Sequence, residues 1–218
     1  KSLTSINIPG SCKRIGNNAF NGCKSLNEVI FETSDEPIHI GSNLDNKELS
    51  QSITPFPNPS DVDERHTGFK NGYYNGLFFG LPIERLVINR NIELFTSYWR
   101  EMGYPFSLYR TMFYDMIFYS PFYGLTNLKS IEIGENVSAI CQNQIEAVVN
   151  AQPVTMDYKN FGGCNNIEVV TSNNPTAPVG GVFSQTVYEN ATLILPNGDE
   201  TSYKNDVYWK NFTKLSET

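Results

Sequence analysis

The stretch Leu3-Thr4-Ser5-Ile6-Asn7-Ile8-Pro9, followed by Cys12-Lys13-Arg14-Ile15-Gly16 and then Ala19-Phe20-Asn21-Gly22-Cys23, decides how this chain is built. Its first anchors return at Leu26, Val29 and Phe31, each 23 residues after Leu3, Ile6 and Ile8. A fixed period of about 20–29 residues marks stacked units, none of which can bury its apolar side alone. Ile6 and Ile8 alternate with Ser5 and Asn7, as a short strand with one wet face requires. Pro9 ends that strand, because proline has no N–H to give a ladder. Cys12 and Ile15 then turn inward on the next side, Gly16 allows a bend, and Phe20 fills the corner before the next unit.

The pattern holds downstream. Ile83, Leu86 and Ile88 repeat the anchors, as do Leu128, Ile131 and Ile133, with Val137 and Ile140 in the places of Cys12 and Ile15. Ile167 and Val170 match the first two anchors, and Ser172 stands in the third. Leu193 and Leu195 close the series, with Pro196 after Leu195 as Pro9 follows Ile8. The corner recurs as Phe78-Phe79-Gly80, Phe122-Tyr123-Gly124 and Phe161-Gly162-Gly163. The spacing predicts one elongated, mainly β domain over 1–218: a right-handed solenoid of about six coils.

Three segments break the period. Residues 43–76 hold a polar, Pro- and Asp-containing loop that includes Asp61-Val62-Asp63-Glu64-Arg65-His66. Residues 96–120 lie in an aromatic stretch, with twelve Phe, Tyr and Trp between Phe95 and Tyr123. Residues 142–160 include Gln144–Val149, which suits a short helix or a strand. The tail, 197–218, offers Asp199 as a helix N-cap, and its aromatics suit a helical cap over the last coil. Lys1-Ser2-Leu3 repeats as Lys24-Ser25-Leu26 directly after Gly22-Cys23. That phase predicts that Lys1 follows another unit in a longer chain, so a missing leader carries no information about compartment.

The units resemble those of the BspA-like leucine-rich repeat proteins of gut-dwelling bacteria: Leu-x-x-Ile-x-Ile-Pro, then Val-x-x-Ile-Gly, then Ala-Phe-x-Gly-Cys. Leu3 to Cys23 follows that pattern with Cys12 in the place of Val. Val87-Ile88-Asn89-Arg90-Asn91-Ile92, Ser120-Pro121-Phe122 and the ending Leu195-Pro196 … Tyr203 … Trp209-Lys210-Asn211-Phe212 are also similar. The resemblance implies a leucine-rich-repeat solenoid and a secreted or surface-anchored, non-enzymatic protein that binds host proteins or other bacteria. It brings no catalytic residue with it.

Composition narrows the chemistry further. A net charge of −7 argues against nucleic acid, since no basic patch stands ready to displace counterions. No run of about 18 apolar residues marks a membrane span. Four cysteines occur without a Cys-x-x-Cys and without a histidine at ligand spacing. Cys12, Cys23 and Cys164 fall on interior positions and Cys141 on that of Gly16, which favours buried thiols over a disulfide or a metal. The Asp61–His66 cluster lacks the glycine and glutamate of an EF-hand loop and reads as a solvated charged loop. Phosphate-binding glycine loops and a Gly-x-Ser-x-Gly elbow are both absent. The sequence therefore implies no catalytic residue, cofactor or metal.

Two surfaces remain as candidates for a partner. On the wet face of the strands, Ile30 and Val87 come side by side if their units stack, next to Arg85. Apolar residues on an otherwise polar face mark interaction patches, although they also suit strands as such. In the aromatic stretch, Tyr98, Trp99 and Tyr104 offer rigid contact area and planar faces for sugar rings, or else pack the segment onto the units. The expectation is a non-enzymatic cell-surface or secreted adhesion module for a protein partner, with a glycan ligand at the aromatic insertion as the alternative.

Overall fold

The computed structural model describes residues 2–16, 19–20, 22–41, 77–78, 80–95, 121–141, 144–149, 152–157, 160–196 and 200–217. Most of these lie in or between strands of parallel sheets, with few helices, as a leucine-rich repeat fold requires.

Seven short strands form the main sheet, in the spatial order β1 (Ser5–Ile8), β3 (Glu28–Phe31), β5 (Arg85–Ile88), β7 (Ser130–Ile133), β10 (Val169–Ser172), β11 (Thr192–Leu195) and β12 (Lys214–Glu217). Every neighbouring pair is parallel. The register aligns equivalent anchors, so Ile6, Val29, Leu86, Ile131, Val170 and Leu193 form one inward row. Ile8, Phe31, Ile88, Ile133 and Ser172 form the next. A one-residue slip would turn every one of these side chains to the wet face, which is why the alternation fixes the register. A second parallel sheet of β2 (Arg14–Gly16), β4 (Ile38–Gly41) and β6 (Ile92–Phe95) runs beside it. Single bridges carry it on, from Ile92 to Ile140 and from Ala139 to Val179.

At the corners the Phe-x-Gly motif shows its purpose. The glycines Gly22, Gly80, Gly124 and Gly163 hold φ between +72° and +83°, the left-handed region that a side chain disfavours. That bend returns the chain to the next strand and leaves each phenylalanine inside. The rings stack into a column: Phe20 on Phe78 at 5.1 Å, Phe78 on Phe122 at 6.1 Å and Phe122 on Phe161 at 5.4 Å. Phe183 extends it at 4.8 Å, although no Phe-x-Gly announces that position. Phe31 meets Phe78 and Phe122 edge-on from the sheet.

Polar side chains hold the turns between units. Arg90 is 1% exposed, and among the described residues its guanidinium donates to backbone carbonyls. Nη1 reaches Cys12 O at 2.9 Å and Gly10 O at 3.0 Å, with Pro9 O at 3.3 Å; Nη2 and Nε reach Glu36 O at 2.6 and 3.2 Å. One residue of the third unit thus ties down the first and second. Asn91 Oδ1 accepts from the N–H groups of Ser138 and Ala139, and Asn174 Nδ2 donates to Val137 O. Ser172, the one polar residue among the anchors, is fully buried. Its hydroxyl lies 2.6 Å from that of Tyr203, which donates to Asn174 O, so the polar anchor has a dedicated partner.

Several expectations change. Gln144–Val149 and Gln152–Asp157 form an antiparallel hairpin of two further strands, β8 and β9, so the first of these segments is a strand. A short helix α1 (Gln185–Asn190), unforeseen in the sequence, buries Val187 and Tyr188. The expected helical cap over 197–218 is helical only in part. It contains α2 (Glu200–Asn205) and a single 3₁₀ turn at Trp209–Asn211, and it finishes as β12. The physical reason is the open edge of β11, whose unpaired backbone groups take up Lys214–Glu217 as a strand. Tyr203, Trp209 and Phe212 are buried, and the Trp209 indole N–H donates to Pro178 O at 2.8 Å.

Candidate interaction surface

The face of the main sheet turned away from the anchors carries the sequence-derived candidates that lie among the described residues. Ile30 and Val87 are direct partners across β3 and β5, as stacking of the two units requires. Ile30 is half-buried. Val87 is only 4% exposed, so it offers less surface than a residue on a wet face is expected to offer. Its row neighbours are Ile30 and Glu132, and Arg85 reaches from its own strand to Glu132 beside it. Tyr98, Trp99 and Tyr104 lie outside the described residues, as do the 43–76 loop and its Asp61–His66 cluster.

Arg85 forms the electrostatic centre of this face. Nη1 donates to Glu28 Oε1 at 2.6 Å and Nη2 to Glu132 Oε2 at 2.9 Å, spanning three strands. The hydrogen bond to Glu28 raises the guanidinium pKa most, partial burial works against it, and Glu132 raises it further. Such half-exposed pairs contribute only about 0–1 kcal/mol each, so their main effect is to hold three side chains in a fixed array.

One residue before each strand runs a second charged row. Lys129 Nζ pairs with Glu84 Oε2 at 2.9 Å, and Glu168 follows on the next unit. The bond to Glu84, with a smaller attraction to Glu168, raises the Lys129 pKa. These three side chains flank an open groove of about 630 Å³. Asn127, Asn165, Asn166 and Asn190 also line it, with Thr126 and Thr186. The groove went unnoticed in the sequence. Most of its residues are exposed polar positions between corner and strand, with Thr186 and Asn190 from α1, and the sequence signal is that Thr126-Asn127 and Asn165-Asn166 hold equal offsets before Leu128 and Ile167.

A family model for the BspA type leucine-rich repeat region matches residues 1–58 and 114–197 in six copies, more than half of the chain. The chain belongs to this family. BspA-type repeats place it among repeat proteins of protein interaction or surface function. The match passes over residues 59–113, yet β5 within that gap pairs with β3 and β7 in unbroken register. The parallel register thus runs on through β5, whose unit keeps the anchors Ile83, Leu86 and Ile88 outside the matched residues. Neither the curated proteins nor the solved structures contain a match to the chain.

The cysteines sort by depth. All four are free thiols; Cys141 and Cys164 are buried, whereas Cys12 and Cys23 are half-buried, less deep than their interior positions imply. Burial pushes the Cys164 thiol up to about 12, and the Cys141 thiol further still. A thiol so raised stays protonated at pH 8 and is not nucleophilic. Treating the folded protein with iodoacetamide at pH 8 is therefore expected to alkylate Cys12 and Cys23 alone, with all four reacting in denaturant. Mass mapping that finds Cys141 or Cys164 modified in the native protein contradicts this placement. Among the described residues no three His, Cys, Asp or Glu side chains are grouped to hold a metal ion. No helix there is long and apolar enough to cross a membrane.

Proposed function

We propose that this chain is a non-enzymatic adhesion module, secreted or held at the cell surface, which binds a protein partner through the outward face of its main sheet. The observation that carries the reading is the Glu28–Arg85–Glu132 bridge lying beside the half-buried Ile30 on three registered strands. A fixed polar array around a small apolar centre is the usual make-up of a protein interface. The underlying form we infer is a right-handed solenoid closed by the tail, supported by two parallel sheets in register and by the burial of Tyr203, Trp209 and Phe212. Membership of a family of interaction and surface proteins supports the same reading.

The test is direct binding of the purified chain to a panel of purified extracellular proteins, with Ile30→Glu and Arg85→Ala alongside. At least one partner is expected, weakened about tenfold or more by Ile30→Glu, because a charge replaces the apolar centre and must be desolvated when the partner covers it. Circular dichroism of the variants should match that of the parent. A partner whose affinity ignores both substitutions binds elsewhere and removes this face from consideration.

A further inference from the structure

We infer that the groove before the strands is a separate binding site, for a neutral oligosaccharide lying across successive units. The argument starts from what the groove lacks. Apart from Ile167, itself only 3% exposed, its lining side chains are polar or charged. Protein segments anchor through aromatic, aliphatic or arginine side chains in desolvated pockets, and this surface provides no such pocket. Glu84 and Glu168 outnumber Lys129, so the local field disfavours phosphate, sulfate or carboxylate groups on a ligand.

What the groove provides is equally specific. A side-chain amide offers donors and an acceptor in one plane, and a carboxylate accepts at two oxygens. A sugar hydroxyl both donates and accepts, so neighbouring hydroxyls on a ring match groups of this kind. An amide stands at the same offset in two neighbouring units, Asn127 and Asn166, whose adjacent parallel strands lie about 4.8 Å apart. Asn166 Nδ2 already donates to Thr126 O at 2.6 Å, which fixes that amide across two units. Lys129 and Glu84 are both about half exposed and paired only at the surface, so a ligand hydroxyl can enter between them. A repeating polar row in an open trough suits an extended chain of sugar rings better than an enclosed small molecule. This site is independent of the protein-binding face proposed above.

The experiment is a printed array of neutral, sialylated and sulfated oligosaccharides, probed with the parent chain, the double variant Asn165→Ala/Glu168→Ala, and Trp99→Ala. The parent is expected to bind neutral glycans in preference. The double variant should lose at least about tenfold, since each missing hydrogen bond accounts for about 1 kcal/mol and tenfold corresponds to 1.4 kcal/mol. Absence of glycan binding by the parent overturns the inference and leaves the protein-binding reading standing. Preference for the acidic glycans overturns it, as does loss of binding in Trp99→Ala with the double variant intact. If the double variant instead loses a protein partner from the panel above while the array stays silent, the groove belongs to a protein interface.

Discussion

Replacing Arg90 by alanine is expected to destabilise the first two units by about 4 kcal/mol and to open them before the rest of the chain. The guanidinium is buried, and its donors are directed at the carbonyls of Pro9, Gly10, Cys12 and Glu36. Hydrogen bonds from a charged donor contribute about 1.5–3 kcal/mol each, and carbonyls left without a donor in a buried place cost about as much again per group. Water entering the vacated space offsets part of that sum, which is why the expected total is lower than simple addition gives. Burial lowers the Arg90 pKa from its ordinary value, yet arginine keeps its proton at any working pH. Lysine should not rescue the variant, because a single ammonium cannot span acceptors that a planar fork reaches at once. In a stacked repeat protein each unit leans on its neighbours only, so the loss should remain local. Hydrogen exchange should then show deprotection of β1, β2 and β3 with β10 and β11 still protected. Uniform deprotection of all strands, or none, contradicts the clamp.

Phe122→Ala should cost about 3–5 kcal/mol and act at the middle of the molecule. Its ring lies between Phe78 and Phe161 in parallel stacking and meets Phe31 edge-on. Truncation removes three aromatic contacts among the described residues, each contributing about 0.5–1.5 kcal/mol beyond simple burial, and leaves a void that flanking rings cannot both fill. Phe20→Ala, at the 8%-exposed end of the column with Phe78 alone stacked on it among the described residues, should cost distinctly less. Urea melts of the two variants decide the matter. Equal losses at the centre and the end of the column would show that the rings contribute by burial alone.

The parts of this fold that could be read from the sequence are those governed by alternation and by glycine. Ile6 and Ile8, Val29 and Phe31, Ile131 and Ile133 define strands because a period of two has one face to bury, and Phe-x-Gly defines corners because the glycine must hold a positive φ. Arg90 stands within residues 87–92, a motif that does not disclose its role. Its acceptors are backbone carbonyls, which every residue carries and no sequence pattern marks. Ser172 stood out as a misplaced polar residue, while its partner Tyr203 lies 31 residues on, in the tail. The strand β12 escaped notice because Lys214-Leu215-Ser216-Glu217 has a single apolar side chain and pairs only because β11 presents an open edge. The charged rows follow from register, so Arg85 could be placed on the outward face, yet the burial of Val87 depends on what surrounds it in space. Alignment of the polar groove required knowing which units are neighbours.

The register of the main sheet also has a mechanical consequence. Its interstrand hydrogen bonds run along the stacking direction, so a pull applied along that direction loads the strand interfaces in series and the weakest parts first. Leu215 on β12 is 38% exposed, and the residues of that strand are all exposed. Tension on the C-terminal end is therefore expected to peel β12 from β11 at low force. The aromatic column and the Arg90 clamp lie across interior interfaces and should resist higher force, so rupture traces should show a small early event ahead of the main one.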